Sequence, residues 1–433
     1  MEWIDDKPRK FGAVTPWFVL LAISLLINYV DRGNLSLAAP LLKNELHLTA
    51  WQLGILFSAF FWTYTALQFV MGWVVDRFEV NLVIAVGYLV WSLATATTGL
   101  VRGFTMLLTM RLLLGIGESV AFPSCSKILA RHVPEENRGF ANGILIAGLK
   151  SGPAVGTFGA GLLMARYGWR PVFIGIGLIS LAWLPAWKKW MPRGPGLVQA
   201  DGTALPTVAG ILRQRSFWGA CTGQFCANYL LYLMVTWLPY YLVHERDLSV
   251  DSMAKTASVY YLVDATSAIA TGWFSDFWIR RGFTPTLVRK SAMAIGHTTA
   301  AIALAGCVLA GPYTYQPWLL IVGAGSGIGG SGIYSFCQIL AGPKAAGRWT
   351  GFQNGFANLA GVVAPALTGF IVNRTGNFQL ALAITAAVAL VGGFAWVFGV
   401  DPLTQVTWSA DGRGLPAAVG TLPNVAGHVR ESS

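Results

Sequence analysis

Charge is what this sequence has least of. Only 11% of its 433 residues are Asp, Glu, Lys or Arg, against about 25% in a soluble globular domain. That shortage excludes the several water-exposed domains that such a length would otherwise suggest. Cysteine is scarce as well. Cys125, Cys221, Cys226, Cys307 and Cys337 all fall within apolar stretches, none at metal-ligand spacing, and they read as small buried apolar residues. His47, His132, His244, His297 and His428 are scattered along the chain. No glycine-rich nucleotide loop and no hydrolase constellation appears, so the sequence points to no metal, no cofactor and no enzyme. The first apolar run has a basic flank, yet it carries Asp31-Arg32 at its end and lacks a small-residue cleavage site. It reads as a retained helix and not as a signal peptide.

What is there is apolar length. Hydrophobic residues make up 55% of the chain. They gather into twelve runs at residues 16–40, 51–74, 82–101, 104–129, 140–164, 169–188, 217–243, 252–275, 287–309, 316–341, 350–372 and 378–399. About 20 apolar residues span a ~30 Å hydrocarbon core. The expectation is an all-α membrane protein of twelve transmembrane helices. The net charge of +11 does not signal nucleic acid, because its distribution is one-sided. Lys7, Arg9, Lys10, Arg131, Arg138, Lys188, Lys189, Arg280, Arg281, Arg289 and Lys290 all fall on the side of the termini. By the positive-inside rule both termini are expected in the cytoplasm.

Four charges break the apolar runs: Asp31 and Arg32 in the first span, Arg111 and Glu118 in the fourth. A charge at the bilayer centre costs about 2.5–3.5 kcal/mol on insertion scales. A chain keeps such residues when they face a cavity or one another, which points to a pathway for charged solutes. Arg111 and Glu118 are two helical turns apart on one face, about 10 Å. Adjacent Asp31 and Arg32 point about 100° apart, so one can reach across to the fourth span while the other faces a solute. Arg offers a fixed planar fork to a carboxylate. A buried carboxylate beside an Arg can change protonation state as its partner leaves, the physical basis of proton–anion symport. The competing reading is a set of inert ion pairs joining the two spans, which seldom repay their desolvation.

The chain also repeats itself. Gly72-Trp73-Val74-Val75-Asp76-Arg77 ends the second span, and Gly272-Trp273-Phe274-Ser275-Asp276 ends the eighth, 200 residues later. Such a parallel repeat builds two six-helix, pseudo-symmetric bundles around a central cavity. The expected organisation is an N-terminal bundle over 1–188, a Pro- and Gly-containing linker over 189–216, a C-terminal bundle over 217–400 and a polar tail over 401–433, read as disordered. Gly152, Pro153, Gly156, Pro365 and Gly369 suit close helix approach.

These features resemble the major facilitator superfamily, whose loop signature is the G-x-x-x-D-R repeat. Finer motifs resemble its anion:cation symporter family: Asn28-Tyr29-Val30-Asp31-Arg32, Arg111 with Glu118 and Ala121-Phe122-Pro123, Pro134 to Gly139, Trp237-Leu238-Pro239, and Asn354 with Asn358. The resemblance covers about residues 17–400. It implies proton-coupled uptake of a small organic anion by alternating access, most simply a sugar acid of the aldonate or hexuronate type. It further implies a monomer in the bilayer, in a bacterial inner membrane, with no nucleic-acid partner. Asp31 and Glu118 would carry protons. Arg32, Arg111, Lys150, Tyr29, Tyr64, Gln224, Asn228, Tyr232 and Asn354 would contact substrate. Asp76, Arg77 and Asp276 would brace the gate. Lys150 departs from the family pattern, where the place is more often neutral; it would read a second carboxylate or partner Glu118 or Asp31. Asp264 in the eighth span also departs, with no single role assigned. Other readings are uptake of a dicarboxylate or an aromatic acid, drug or metabolite:proton antiport, and a solute sensor. Antiport rests on Gly148-x3-Gly152-Pro153-x2-Gly156, a partial antiporter motif that ends in Thr157 and has Lys150 inside it.

Overall fold

The computed structural model describes residues 15–133, 135–192, 207–311, 314–408 and 414–415. Helix dominates because long apolar segments must satisfy their backbone polar groups internally. The first half comprises α1 (Pro16–Glu45), α2 (Ala50–Arg77), α3 (Val80–Thr98), α4 (Phe104–Glu118), α5 (Ala121–His132), α6 (Glu135–Tyr167), α7 (Trp169–Leu181) and α8 (Trp183–Trp190). A short α9 (Val208–Leu212) leads into the second half: α10 (Arg215–His244), α11 (Val250–Arg280), α12 (Pro285–Leu309), α13 (Tyr315–Gly330), α14 (Ile333–Thr375) and α15 (Gln379–Phe394), which ends in a π-turn, Ala395–Gly399. The fourth span is thus two helices, α4 and α5, broken at Ser119–Val120. The sixth is α7 with α8. The tenth and eleventh run together through α14, bending where Gly342 takes φ 68°.

Ten helical stretches are both long and apolar enough to cross a membrane. The two remaining spans are α6 and α11, of 33 and 31 residues, ample in length but more polar. They pack on each other between the halves. A second seam joins α2 to α14. There a Cβ built on Gly54 would lie 2.9 Å from the Cα of Gly369, so neither position has room for a side chain. Twelve membrane-crossing helices in two six-helix bundles result, and the molecule is an integral membrane protein.

The halves repeat at their corners, on the face opposite the termini. Glu45 ends α1 and accepts bonds from the Trp169 indole (2.6 Å) and Arg170 (2.8 Å) at the start of α7. Glu245 caps α10 and accepts from the Phe378 backbone N–H (2.6 Å) at the start of α15. Thr49 and Ser249 cap α2 and α11. His47 and Asp247 share φ values of 53° and 52°, a left-handed turn that few non-glycine residues adopt.

The core differs between the two faces. On the face opposite the termini one continuous cluster draws on both halves, from Leu42, Leu53 and Phe57 to Trp237, Tyr240 and Phe378. On the terminal side it divides. One cluster belongs to the first half, reaching the second at Tyr229, Tyr232, Ala360 and Ala364. The other lies wholly within the second half, around Phe217, Trp349 and Trp396. The core is thus continuous between the halves on one face and divided on the other.

The tail differs in part from expectation. Thr407–Trp408 pairs with Gly414–Leu415, Val406 N–H donates to Leu340 O (2.9 Å) and the Trp408 indole to Ala341 O (2.9 Å). Backbone and indole donors of this segment thus find acceptors on α14. The remainder of the tail, and most of the linker, lie outside the described residues.

Candidate solute site

The four intramembrane charges come together. Arg32 leaves the middle of α1 and donates from Nε to Glu118 Oε2 at 2.8 Å, with both side chains buried. Glu118 is the last residue of α4, so the break before α5 presents its carboxylate to α1. Three rings surround the Arg32 guanidinium: Tyr64 at 4.4 Å, Tyr29 at 4.7 Å and Phe60 at 5.0 Å from ring centroid to Cζ. Rings at this range stabilise a desolvated cation. Of the two neighbours on α1, Arg32 is therefore the one that crosses to the fourth span. Asp31 points instead toward α3, where it accepts from Asn34 Nδ2 (3.2 Å) and faces Thr95.

Arg111 is also buried and forms no ion pair among the described residues. Its guanidinium lies 5.3 Å from the centroid of Phe60. It borders a narrow cleft lined by Tyr29, Arg32, Phe57, Phe60, Phe61, Tyr232, Val235 and Thr236 among others. One cation of the pair is thus neutralised by Glu118, and the other faces the cleft.

The expected amide wall is arranged differently. Gln224 donates to Asn354 Oδ1 (3.1 Å) and accepts from Gln353 Nε2 (2.8 Å). Gln353 also accepts from the Trp349 indole (2.9 Å). Tyr232 OH bonds to Asn358. Asn228 is buried and is not among the cleft-lining residues. In this state Gln224 and Asn354 satisfy each other within the second half, because paired amides are cheaper to bury than single ones. Sequence reasoning missed Phe57, Phe60 and Phe61. The signal was there: residues 57, 60, 61 and 64 follow a helical i, i+3, i+4, i+7 stripe. Such stripes usually mean core, and this one is both core and cavity wall.

Other expected site residues lie elsewhere. Asp264 is buried on α11, with its carbonyl against Gly327 of α13, and is not among the cleft-lining residues. Asp276 is exposed and pairs loosely with Arg289 at 3.8 Å, which joins α11 to α12 within one half. Arg77 is exposed. The side chains of Asp76 and Lys150 lie outside the described residues.

Comparison with known proteins adds an independent line. A family model described as the Major Facilitator Superfamily matches residues 21–354. The chain is 30% identical to a hexuronate transporter of Bacillus subtilis (strain 168), over 90% of this chain and 95% of that one. It is 28% identical to a probable galactarate/D-glucarate transporter of Escherichia coli (strain K12), covering 94% and 99%. Among solved structures, a bacterial homologue of the human lysosomal transporter Spinster, in an inward-facing and unoccupied conformation, superposes with a TM-score of 0.70 at 18% identity, covering 90% of this chain and 95% of that one. At that identity the likeness concerns the fold alone.

Proposed function

The chain belongs to the major facilitator superfamily, a family of transporters and not of enzymes, and on that premise we propose that it takes up a small organic anion together with protons by alternating access. The observation that carries this reading is Arg111, a buried cation without an ion-pair partner among the described residues, at the wall of a narrow cleft. Relatives that are named for hexuronate and for galactarate/glucarate transport favour a sugar acid.

Charge counting links the anion to the proton. Ionised, Asp31, Arg32, Arg111 and Glu118 sum to zero. An anion arriving at Arg111 leaves a net negative charge at low dielectric, which is costly. Protonation of Glu118 cancels it and frees Arg32, so that two planar forks can hold one carboxylate. The rings of Tyr29, Phe60 and Tyr64 keep Arg32 in place while its partner is neutral. The loaded, neutral site can then cross between states with little electrostatic penalty. Return of the empty carrier requires the proton to leave and the Arg32–Glu118 pair to reform.

The shape is consistent with a carrier closed to the outside and parted toward the cytoplasm, with both termini cytoplasmic in a bacterial inner membrane and function as a monomer. Asp76, Arg77 and Asp276 would brace the gate. Lys150 would favour a dianion if it faces the cleft. The aromatic wall of Phe57, Phe60 and Phe61 supports a second reading, an aromatic acid. A thermal-shift screen of the purified protein against sugar acids, dicarboxylates and aromatic acids separates these. Uptake into reconstituted vesicles, driven by an inward proton gradient and abolished by a protonophore, is the expected result. Uptake that follows sodium and ignores protons sinks the proposed coupling.

A further inference from the structure

Two further charges stand in mid-span, and both depart from the family pattern: Lys150 on α6 and Asp264 on α11. These are the helices that pack on each other between the halves. The backbone of α6 places Lys150 on the helix. Gly148, Gly152 and Gly156 form a stripe that faces α1, where a Cβ on each would meet Ala22 O at 3.0 Å, Tyr29 Cβ at 2.6 Å and Val30 Cα at 3.1 Å. Lys150 lies about 160–200° around α6 from Gly148 and Gly152, on the side away from α1. Gly161 shows what that side meets. A Cβ there would lie 2.5 Å from Ala254 Cβ of α11, and Lys150 is within about 20° of Gly161 around the helix.

The register supplies the depth. α6 is the fifth span and α11 the eighth, so the two run antiparallel. From the Gly161–Ala254 contact, Lys150 lies about 16 Å along α6 and Asp264 about 15 Å along α11, in the same direction across the membrane. Asp264 is 6% exposed and within about a quarter turn of Ala254 around α11. It ends the buried stripe of that helix, which begins at Met253; no described residue of α11 beyond Asp264 is buried. The neighbouring phenols are engaged elsewhere. Tyr261 OH donates to Met234 O at 3.1 Å, and Tyr260 bonds with Ser326 of α13. Asp264 thus stands at the last buried turn of the α6–α11 seam. Lys150 stands at the depth of the cleft, because Gly152 adjoins Tyr29 of the cleft wall. A lone charge of either sign is costly there, and opposite charges at one depth on packed helices neutralise each other.

We propose that Lys150 and Asp264 form an ion pair joining the two halves at mid-membrane, and that by neutralising Lys150 this pair restricts the cleft to monoanions. With Glu118 protonated, Asp31, Arg32 and Arg111 sum to one positive charge, which a monoanion cancels. A free Lys150 would raise the sum to two and suit a dianion. Asp264 removes that second charge. The pair lies where the seam passes from buried to open, so the halves can rock about it without breaking it. The selectivity rests on the anion-uptake reading; the ion pair does not.

Thermal melting of the intact protein in detergent tests the pair. Lys150→Gln and Asp264→Asn each strand one buried charge and should each lower Tm by about 5 °C or more. The double variant Lys150→Gln/Asp264→Asn strands none and should recover most of that loss. Losses that add overturn the pair. Where a single variant cannot be purified, the monodisperse yield of the double variant reads the same cycle, and a double variant that also fails overturns the pair. D-gluconate and D-glucarate, a monoanion and a dianion on one carbon chain, test the selectivity through their shifts in Tm. The wild type should favour D-gluconate. Asp264→Asn unmasks Lys150 and should move the affinity ratio at least about tenfold toward D-glucarate; the double variant should move it back. A wild type that favours D-glucarate, or a ratio that Asp264→Asn leaves unchanged, overturns the selectivity. Binding of neither overturns the sugar-acid reading instead, and the melting cycle then decides the pair by itself.

Discussion

The two halves of this molecule agree at their edges and disagree at their centre. At the corners, residues about 200 positions apart do the same work: Glu45 and Glu245 each tie the first helix of a half to its sixth, and Thr49 and Ser249 each cap the second. In mid-membrane the correspondence ends. Where α1 has Asp31 and Arg32, α10 has Leu231 and Tyr232. Where α4 has Arg111 and Glu118, α13, the fourth span's counterpart, carries no Asp, Glu, Lys or Arg. All four charges stand in one half, and the other answers with amides and phenols bonded among themselves. Positions constrained by the fold stayed paired. Positions around the buried charges are not paired, and on the proposed function one half would hold and discharge ions while the other closes over them.

The largest expected effect comes from abolishing that asymmetry at its unpaired cation. Arg111→Lys keeps the charge but loses the planar fork. Loss of a desolvated charge contact costs about 2–5 kcal/mol, so anion affinity by thermal shift should fall about a hundredfold or more, and transport with it. Normal uptake by Arg111→Lys removes Arg111 from the site. Glu118→Gln comes next. It fixes the neutral state and frees Arg32, so exchange of anion across the membrane should persist while gradient-driven accumulation is lost. If both Glu118→Gln and Asp31→Asn still accumulate solute, protons travel by another route, and Asp264 becomes the first candidate.

The central charges were legible one by one, since a charge in an apolar span stands out against its neighbours. Their pairing was not. Spacing places Asp31 and Arg32 about 100° apart but does not say which faces α4; that depends on the break after Glu118, which Pro123 favours because it has no N–H for the Ser119 carbonyl four residues earlier, but whose direction the sequence does not give. The twelve spans were legible from apolar length, including α6 and α11, which are more polar than the other ten. The amide network was not legible because sequence shows each amide singly, and Gln224, Gln353 and Asn354 bond as a set. The corner repeat of Glu45 with Glu245 lay in plain view at an interval of 200 residues, but Glu in a loop looks ordinary until its partner is known.

An intermediate effect is expected where the halves touch. Lys43 of α1 donates to Tyr240 OH of α10 at 2.6 Å, on the closed face. Their repeat counterparts are Val243 and Pro40, so this bond serves closure and not the shared fold. A hydrogen bond to a charged group contributes about 1.5–3 kcal/mol. Tyr240→Phe should therefore shift the population toward the form open on that face about tenfold. With Thr236→Cys as a reporter in the cleft, an impermeant thiol reagent added from that face should label Tyr240→Phe about tenfold faster than its parent. Equal labelling means the bond does not hold the closed state.

The smallest effect tests how far the corners are alike. Glu45→Ala strands the Trp169 indole, which is 2% exposed, and breaks the pair with Arg170. Glu245→Ala strands one backbone N–H, that of Phe378. A stranded buried donor costs about 1–3 kcal/mol, so both variants should melt below the wild type, Glu45→Ala by more. The corners also differ in pH response. Burial raises the Glu245 carboxyl above its ordinary value, against the opposing pull of the Phe378 N–H and Arg246. A raised carboxyl disfavours the charged form in the folded state. The stability it contributes is complete below the unfolded value and lost as pH rises through the folded one. Glu245→Gln stays neutral throughout and should remove that decline, by about 2 °C in Tm, across the window from about pH 4.5 upward. Melting curves of wild type and Glu245→Gln that run parallel over this window would show that solvent reaches Glu245 freely, and that the second corner is held by its backbone bond alone.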